Sequence, residues 1–274
     1  MPEVDLPPSD TRGDRGDKHD APASFTYVPP SGDHLIDPSV HLVFWGSYWN
    51  GNPKLSVSAA AKAVRSLLED TLYLTGLEQY GVKGASYSGH TILGVTDPTS
   101  FNLAAVHNLL TNALSSEQIP GGYGFSNYIY AVVTPLGAQG PIREPGADGK
   151  NEQSYTAVQH NLPDGVTDST FGPLYYFWVD QDGTLDWFTH VFSHELVELL
   201  TDPNERFGEK QIGDPCNGTG ARLRNRVYVT GYYSQKDRTC IAPGQPGTEH
   251  SGPFIRLSCP FGGETRAAFP GRPC

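Results

Sequence analysis

The chain has 274 residues with 37% hydrophobic content and a formal net charge of −11. It can bury one sizeable core, which favours one large domain over two. The acidic balance, with a pI near 5.2, argues against nucleic acid or an anionic membrane as partner. No apolar run is long enough to cross a bilayer.

The composition is typical of an exported protein, with 31 Gly, 23 Pro, 14 Tyr and one Met. The first residues lack the basic and apolar regions of a signal peptide. We therefore expect a secreted, extracellular protein whose signal peptide is absent from this sequence. Residues 1–38 are rich in Pro, Asp, Gly and Ser, which predicts a flexible N-terminal arm. Residues 39–274 are then the single folded domain, with a looped C-terminal extension at 241–274.

Strand-like and helix-like patterns alternate after the arm. The predicted elements are strand 40–46, helix 56–75, strand 87–95, helix 102–114, strand 128–133, strands 154–159 and 174–179, and helix 184–201. Beyond Pro203 the chain is rich in Gly and Pro, and only short strands are predicted there. The alternation predicts an α/β (α+β) fold with a loop-rich, disulfide-tied C-terminal part.

The helix at 184–201 carries the pattern on which the functional prediction depends. His190, His194, Glu198 and Asp202 recur every four positions, so they share one row along the helix. In H-E-x-x-H zinc peptidases, two His one turn apart hold the ion and the Glu takes a proton from water. Here the second His is a Glu, which also binds Zn²⁺, and Glu195 is the predicted general base. The alternative is an amphipathic helix whose charged row is solvated or salt-bridged.

A catalytic zinc needs three protein ligands and an open position. His194 and Glu198 supply two ligands, and the third could be Asp202 or Asp214. Asp202 lies about 12 Å from His194 along the helix axis, whereas Asp214 follows on a returning loop, so we favour Asp214. His190 is a lesser candidate, which could replace Glu198 as a ligand.

All four cysteines, Cys216, Cys240, Cys259 and Cys274, lie in the last quarter of the chain. An even number in a Gly/Pro-rich region predicts two disulfides. The close C-x-x-C pairs of structural zinc sites are absent from the sequence. Three connectivities are possible, and we favour sequential pairing because each bond would then close one local loop.

Three stretches together resemble a known family. They are V-H-L-V-F-W-G-S-Y-W at 40–49, S-H-E-L-V-E-L-L-T-D-P at 193–203, and I-G-D-P-C at 212–216. They are similar to the Exordium / phosphate-induced protein family, and in particular to bacterial and fungal relatives that keep a metallopeptidase-like helix. In those relatives the helix reads S-H-E-x-x-E-x-x-T-D-P, followed by a tail like E-I-G-D-x-C and a last Cys. The resemblance implies a zincin-like fold with a mixed sheet, whose active-site helix carries the H-E-x-x-E motif.

The resemblance covers roughly residues 40–240, and its details bear on two predictions. Cys240 matches the last Cys of the family, which implies a Cys216–Cys240 disulfide. Gln211 stands where the tail usually has Glu. Plant members often lack the H-E pair and are thought of as wall-associated growth proteins, so the family implies either a catalyst or a binder.

We therefore predict an exported, monomeric zinc-dependent metallohydrolase, in particular a peptidase acting on peptides or proteins. His194, Glu198 and Asp214 would hold Zn²⁺, and Glu195 would act as the base. The alternative is a non-catalytic secreted or cell-wall-associated binding protein, whose ligand would be a glycan or a protein.

Overall fold

The structure is a computed structural model. It describes residues 34–69, 71–121, 128–140, 174–203, 211–216 and 219–245. Most of the predicted arm, the predicted strand at 154–159, the second predicted disulfide and most of the C-terminal extension lie outside the described residues.

A four-stranded sheet forms the centre of the fold. Its strands are β1 (Ser39–Trp45), β2 (Ser86–Leu93), β3 (Tyr128–Val133) and β4 (Tyr175–Val179). They lie in the order β2-β1-β3-β4, and the register places Val43 of β1 beside Thr91 of β2 and Val132 of β3. Every pairing in this described sheet is parallel, whereas a mixed sheet was predicted. Helices α1 and α2 lie between β1 and β2, and α3 lies between β2 and β3; such crossover connections bring the chain back to the same edge of the sheet, as parallel pairing requires.

The helices cover both faces of the sheet, so its inner strands are buried on both sides. The helices are α1 (Val57–Glu69), α2 (Thr71–Thr75), α3 (Leu103–Ser115) and α4 (Leu185–Thr201). Phe44 of β1 belongs to the core on the side of α1 and α4, whereas its neighbour Val43 belongs to the core on the side of α3. The predicted helix at 56–75 is present as two helices, α1 and α2, and a short 3₁₀ helix, Gly76–Tyr80, follows them.

The C-terminal part contains short antiparallel ribbons rather than α-helices within the described residues, as predicted. β5 (Gly220–Arg222) pairs with β6 (Tyr228–Thr230), and β7 (Tyr232–Ser234) pairs with β8 (Thr239–Ile241). A disulfide joins Cys216 to Cys240 of β8, which confirms the first predicted pair. The β5–β6 ribbon packs against α4, where the Thr230 N–H donates to Ser193 Oγ at 2.9 Å.

This arrangement places α4 between the sheet on one side and the ribbons on the other. Phe192 packs against Phe177 of β4, with ring centroids 5.4 Å apart. Every residue of α4 from Val191 to Thr201 is consequently buried. None of the described helices is long and apolar enough to span a bilayer.

Candidate metal centre

Local signals set both ends of α4. At its start, Thr184 is the N-cap and its side-chain oxygen accepts from the Trp187 N–H at 3.3 Å. Asp182 holds this cap by accepting from the Thr184 N–H at 2.7 Å. At its end, the Asp202 N–H donates to the Glu198 carbonyl at 2.7 Å, and a proline follows. A capping side chain and a proline are strong helix boundaries, and the predicted range 184–201 is confirmed.

The polar row on α4 is buried. The sheet-facing residues have no exposed surface; they are Phe188, Phe192, Leu196, Leu199 and Leu200. On the opposite side, His194 is 8% exposed, Glu198 is 3% exposed and Asp202 is fully buried. The interpretation of a solvated row is therefore wrong for these three residues, and the loop at 211–216 lies directly against His194 and Glu198. Burial of an ionised carboxylate is costly unless the group is hydrogen-bonded, paired with an opposite charge or bound to a metal ion.

Three side chains of α4 converge on one point. His194, Glu195 and Glu198 each offer a ligand atom, and these atoms all lie within 4.8 Å of one another. His194 Nε2 lies 3.3 Å from Glu198 Oε1. Glu195 is 2% exposed, so its carboxylate also lies inside the protein. We call these three residues the α4 cluster.

Asp214 approaches the α4 cluster from outside the helix. It begins a short 3₁₀ turn, Asp214–Cys216, and its Oδ1 lies 4.0 Å from His194 Nε2. Its side chain is 32% exposed, which makes it the most accessible carboxylate around His194. The returning loop thus brings Asp214 close to the His194 imidazole. The sequence predicted this approach from outside the helix for the third ligand.

The loop that carries Asp214 is held at both ends. The Tyr233 N–H donates to the Ile212 carbonyl at 2.8 Å, and the side chain of Ile212 is fully buried. The disulfide at Cys216 then ties the loop to β8. These two attachments restrict where Asp214 can move.

His190 and Asp202 do not join the α4 cluster. The His190 ring stacks on Tyr228 of β6, with centroids 5.7 Å apart and planes 28° from parallel. Burial lowers the pKa of His190 to about 4, so it is neutral near pH 7. Asp202 is the C-cap of the helix, about two turns beyond His194. Neither contributes an atom to the convergent group.

The α4 cluster fits a divalent cation. Two ligand atoms about 2.1 Å from one tetrahedral ion lie about 3.4 Å apart, close to the 3.3 Å between His194 and Glu198. A simple ion pair between an imidazolium and a carboxylate gives a similar distance. Two further carboxylates, from Glu195 and Asp214, lie nearby. The three convergent side chains of α4 therefore form a buried group that could bind a metal ion.

Gly213 is the residue that sequence reasoning missed. A Cβ atom at this position would lie 2.6 Å from Glu198 Oε1 and 2.9 Å from His194 Nδ1. The backbone of the loop therefore touches the cluster directly. A single glycine in a Gly-rich segment gives no such signal, because the contact depends on how the loop folds back.

Comparison of the chain with family models, with curated proteins and with solved structures returns no match. The structure is that of an α/β protein with a parallel sheet and a disulfide. It contains a buried group of one His and two Glu that could bind a metal ion. The similarity to Exordium-type proteins rests on the sequence motifs and stays a prediction.

Proposed function

We propose that the chain is an exported zinc-dependent metallohydrolase of the zincin type that cleaves peptide bonds. The observation that carries the proposal is the convergence of the ligand atoms of the α4 cluster within 4.8 Å. The approach of Asp214 to His194, at 4.0 Å, adds a donor from a second segment. Imidazole and carboxylate both bind zinc, and they occur together in catalytic sites with two His and one Glu; here one imidazole is joined by carboxylates.

In this proposal His194, Glu198 and Asp214 hold the ion. Zinc, when bound, supplies the Lewis acidity that brings the pKa of a water molecule towards neutrality. Glu195 accepts the proton of the attacking water on its carboxylate and delivers a proton to the leaving amine. Its place beside His194 keeps that carboxylate within the cluster, and positioned proton transfer contributes roughly 10²–10⁴-fold to the rate.

Burial favours a second candidate function. Glu195 and Glu198 are only 2% and 3% exposed, whereas a peptide substrate must reach the ion and the base. A site this enclosed also suits an ion that stabilises the fold. The second candidate is therefore a non-catalytic secreted or wall-associated module, whose glycan or protein ligand binds elsewhere on its surface.

Metal analysis tests the proposal most directly. The purified chain is dialysed mildly, its zinc content is measured, and cleavage of a peptide library is followed in parallel. We expect one zinc per chain together with turnover, and we expect both to be lost in His194→Ala. The matched control is His190→Ala, because His190 lies one turn earlier on α4 and outside the cluster.

The results separate the two candidates. Zinc without turnover, with Glu195→Gln changing no property, supports the non-catalytic module. A chain without stoichiometric zinc, or one whose zinc survives His194→Ala, contradicts both the metal ligands and the hydrolase.

A further inference from the structure

Gly213 lies where the returning loop presses most closely on the α4 cluster. A Cβ atom there would meet three atoms of the cluster inside 3.0 Å, namely Glu198 Oε1, His194 Cε1 and His194 Nδ1. Separations this short between a side chain and buried neighbours force one of the two to shift. Gly213 is also absent from the described glycines with positive φ, so its backbone conformation does not itself require glycine. What excludes a side chain at this position is the space taken by the two predicted ligands.

The loop cannot relieve such a contact by moving away. Its backbone is hydrogen-bonded to β7 through the Ile212 carbonyl, at 2.8 Å from the Tyr233 N–H. Inside the loop, the Cys216 N–H donates to the Gly213 carbonyl at 2.8 Å. The disulfide from Cys216 to Cys240 closes the other end. The strain of an added methyl group would therefore pass to the side chains of His194 and Glu198.

We infer that Gly213 is a positioning residue of the metal centre. Its missing side chain lets the loop backbone pack against the His194 ring and the Glu198 carboxylate, and this packing holds both side chains in the geometry that shares one ion. The inference rests on the proposed metal function and adds to it a residue that binds neither metal nor substrate. Residues that support metal ligands typically change metal affinity 10- to 100-fold when they are mutated.

The test compares Gly213→Ala with the wild-type chain and with a matched control, Gly84→Ala. Gly84 also lacks a positive φ, and a Cβ there would lie 3.8 Å from its nearest neighbour, Asp37 Oδ1. Zinc affinity is measured by competition with a chromogenic chelator, and ligand geometry is measured from the visible absorption bands of the Co²⁺-substituted chain. We expect Gly213→Ala to weaken zinc binding on the order of tenfold or more and to shift the Co²⁺ bands. Gly84→Ala should match the wild-type chain in both measurements.

A second measurement asks where the added methyl group meets resistance. Thermal unfolding of the metal-free chain is followed for Gly213→Ala alone and for Gly213→Ala combined with Glu198→Ala, which removes the nearest atom. We expect the loss in melting temperature to be smaller in the Glu198→Ala background. This comparison also serves if Gly213→Ala alone does not fold, because folding should then return in the double variant.

Several results overturn the inference. Zinc affinity and Co²⁺ bands that are unchanged in Gly213→Ala overturn it alone, provided that the wild-type chain binds zinc. An equal loss of melting temperature in both backgrounds, or a double variant that still does not fold, shows that the Glu198 carboxylate does not take up the strain, and overturns the part of the inference that assigns Gly213 to the position of Glu198. A wild-type chain that binds no zinc overturns the proposed function, and this inference with it.

Discussion

Two buried histidines in this protein have opposite surroundings. His41 of β1 lies between two hydroxyl groups, with Nδ1 3.2 Å from Ser88 Oγ and Nε2 3.0 Å from Thr91 Oγ1. His194 of α4 lies among carboxylates, 3.3 Å from Glu198 and 4.0 Å from Asp214. The two rings are similarly buried, at 4% and 8% exposed.

The comparison shows that burial of an imidazole does not by itself indicate a metal site. Around His41, the Ser88 hydroxyl donates to the Val40 carbonyl at 3.1 Å, so it is free to accept from Nδ1–H of a neutral ring. Burial, and secondarily the nearby His90, lower the pKa of His41 to about 4. The hydroxyls thus satisfy a neutral imidazole. Around His194, by contrast, carboxylates form with the imidazole a group that could bind a metal ion. Each prediction below changes one feature of one of these two surroundings.

The largest effect should come from neutralising the carboxylates of the α4 cluster one at a time. Glu195→Gln keeps the shape of the side chain but removes the predicted base, so zinc should stay while turnover falls roughly 10²–10⁴-fold. Glu198→Gln removes a charged ligand, so zinc should leave and activity should fall with it. Zinc content and kcat are measured for both variants, which are isosteric substitutions on one helix. Zinc lost from Glu195→Gln but retained in Glu198→Gln would mean that the two roles are exchanged.

Removing the Cys216–Cys240 disulfide should loosen the loop that carries Asp214. The double variant Cys216→Ser/Cys240→Ser opens a bond that stabilises the fold by about 3 kcal/mol through the unfolded state. It also frees the loop that brings Asp214 to within 4.0 Å of His194, so zinc affinity should fall together with the melting temperature. Affinity is measured by chelator competition at a temperature where circular dichroism shows the variant folded. A folded variant with wild-type zinc affinity would argue against Asp214 as the third ligand.

Metal removal should destabilise the region of His194 and leave that of His41 unchanged. A ligand at 100 times its Kd stabilises the folded state by about 2.7 kcal/mol, so a chelator should lower the melting temperature by roughly 5–10 °C. Hydrogen exchange should then increase in α4 and the loop that carries Asp214, and not in β1. His194→Ala is the control, since its melting temperature should not respond to the chelator. Uniform loss of protection in β1 and α4 would show that the ion stabilises the whole domain rather than the site.

The sequence predicts local elements well because their signals are local. Apolar spacing and the Thr184 cap place α4 within one residue of its observed range, and the β-rich run at 128–133 coincides with β3. Parallel pairing of the whole described sheet was missed, because strand direction depends on how distant segments return to the sheet. The division of the predicted helix at 56–75 into α1 and α2 was missed as well.

The candidate site likewise has features that the sequence predicts and features that it does not. The helical spacing of His194 and Glu198 predicts that they meet, since i and i+4 lie on one face. The burial of the polar row could not be predicted, because the loop that lies against His194 and Glu198 comes from residues 211–216, outside the helix. The contact of Gly213 with the cluster likewise requires the path of the returning loop. Long-range packing, rather than residue type, therefore decides whether the row is solvated or buried.

The smallest effect concerns His41 and the pH dependence of stability. The pKa of His41 is about 4 in the folded protein and 6.5 in the unfolded chain. Between these values the unfolded chain binds a proton that the folded protein does not, so stability rises with pH across this window. The contribution of the neutral His41 side chain to the free energy of unfolding is complete above pH 6.5 and decreases as the pH falls towards 4.

His41→Gln keeps a side chain that can bond Ser88 and Thr91 but does not titrate. Melting temperatures of the wild-type chain and the variant are compared from pH 7.5 to 4.5, with chelator present so that metal release does not contribute. We expect the wild-type chain to lose more stability than the variant between pH 6.5 and 4.5, by on the order of 2 kcal/mol. Parallel curves for the two proteins would show that His41 gains its proton equally in the folded and unfolded states. The hydroxyl pair would then accommodate an imidazolium, and the contrast between His41 and His194 would lie in metal binding alone.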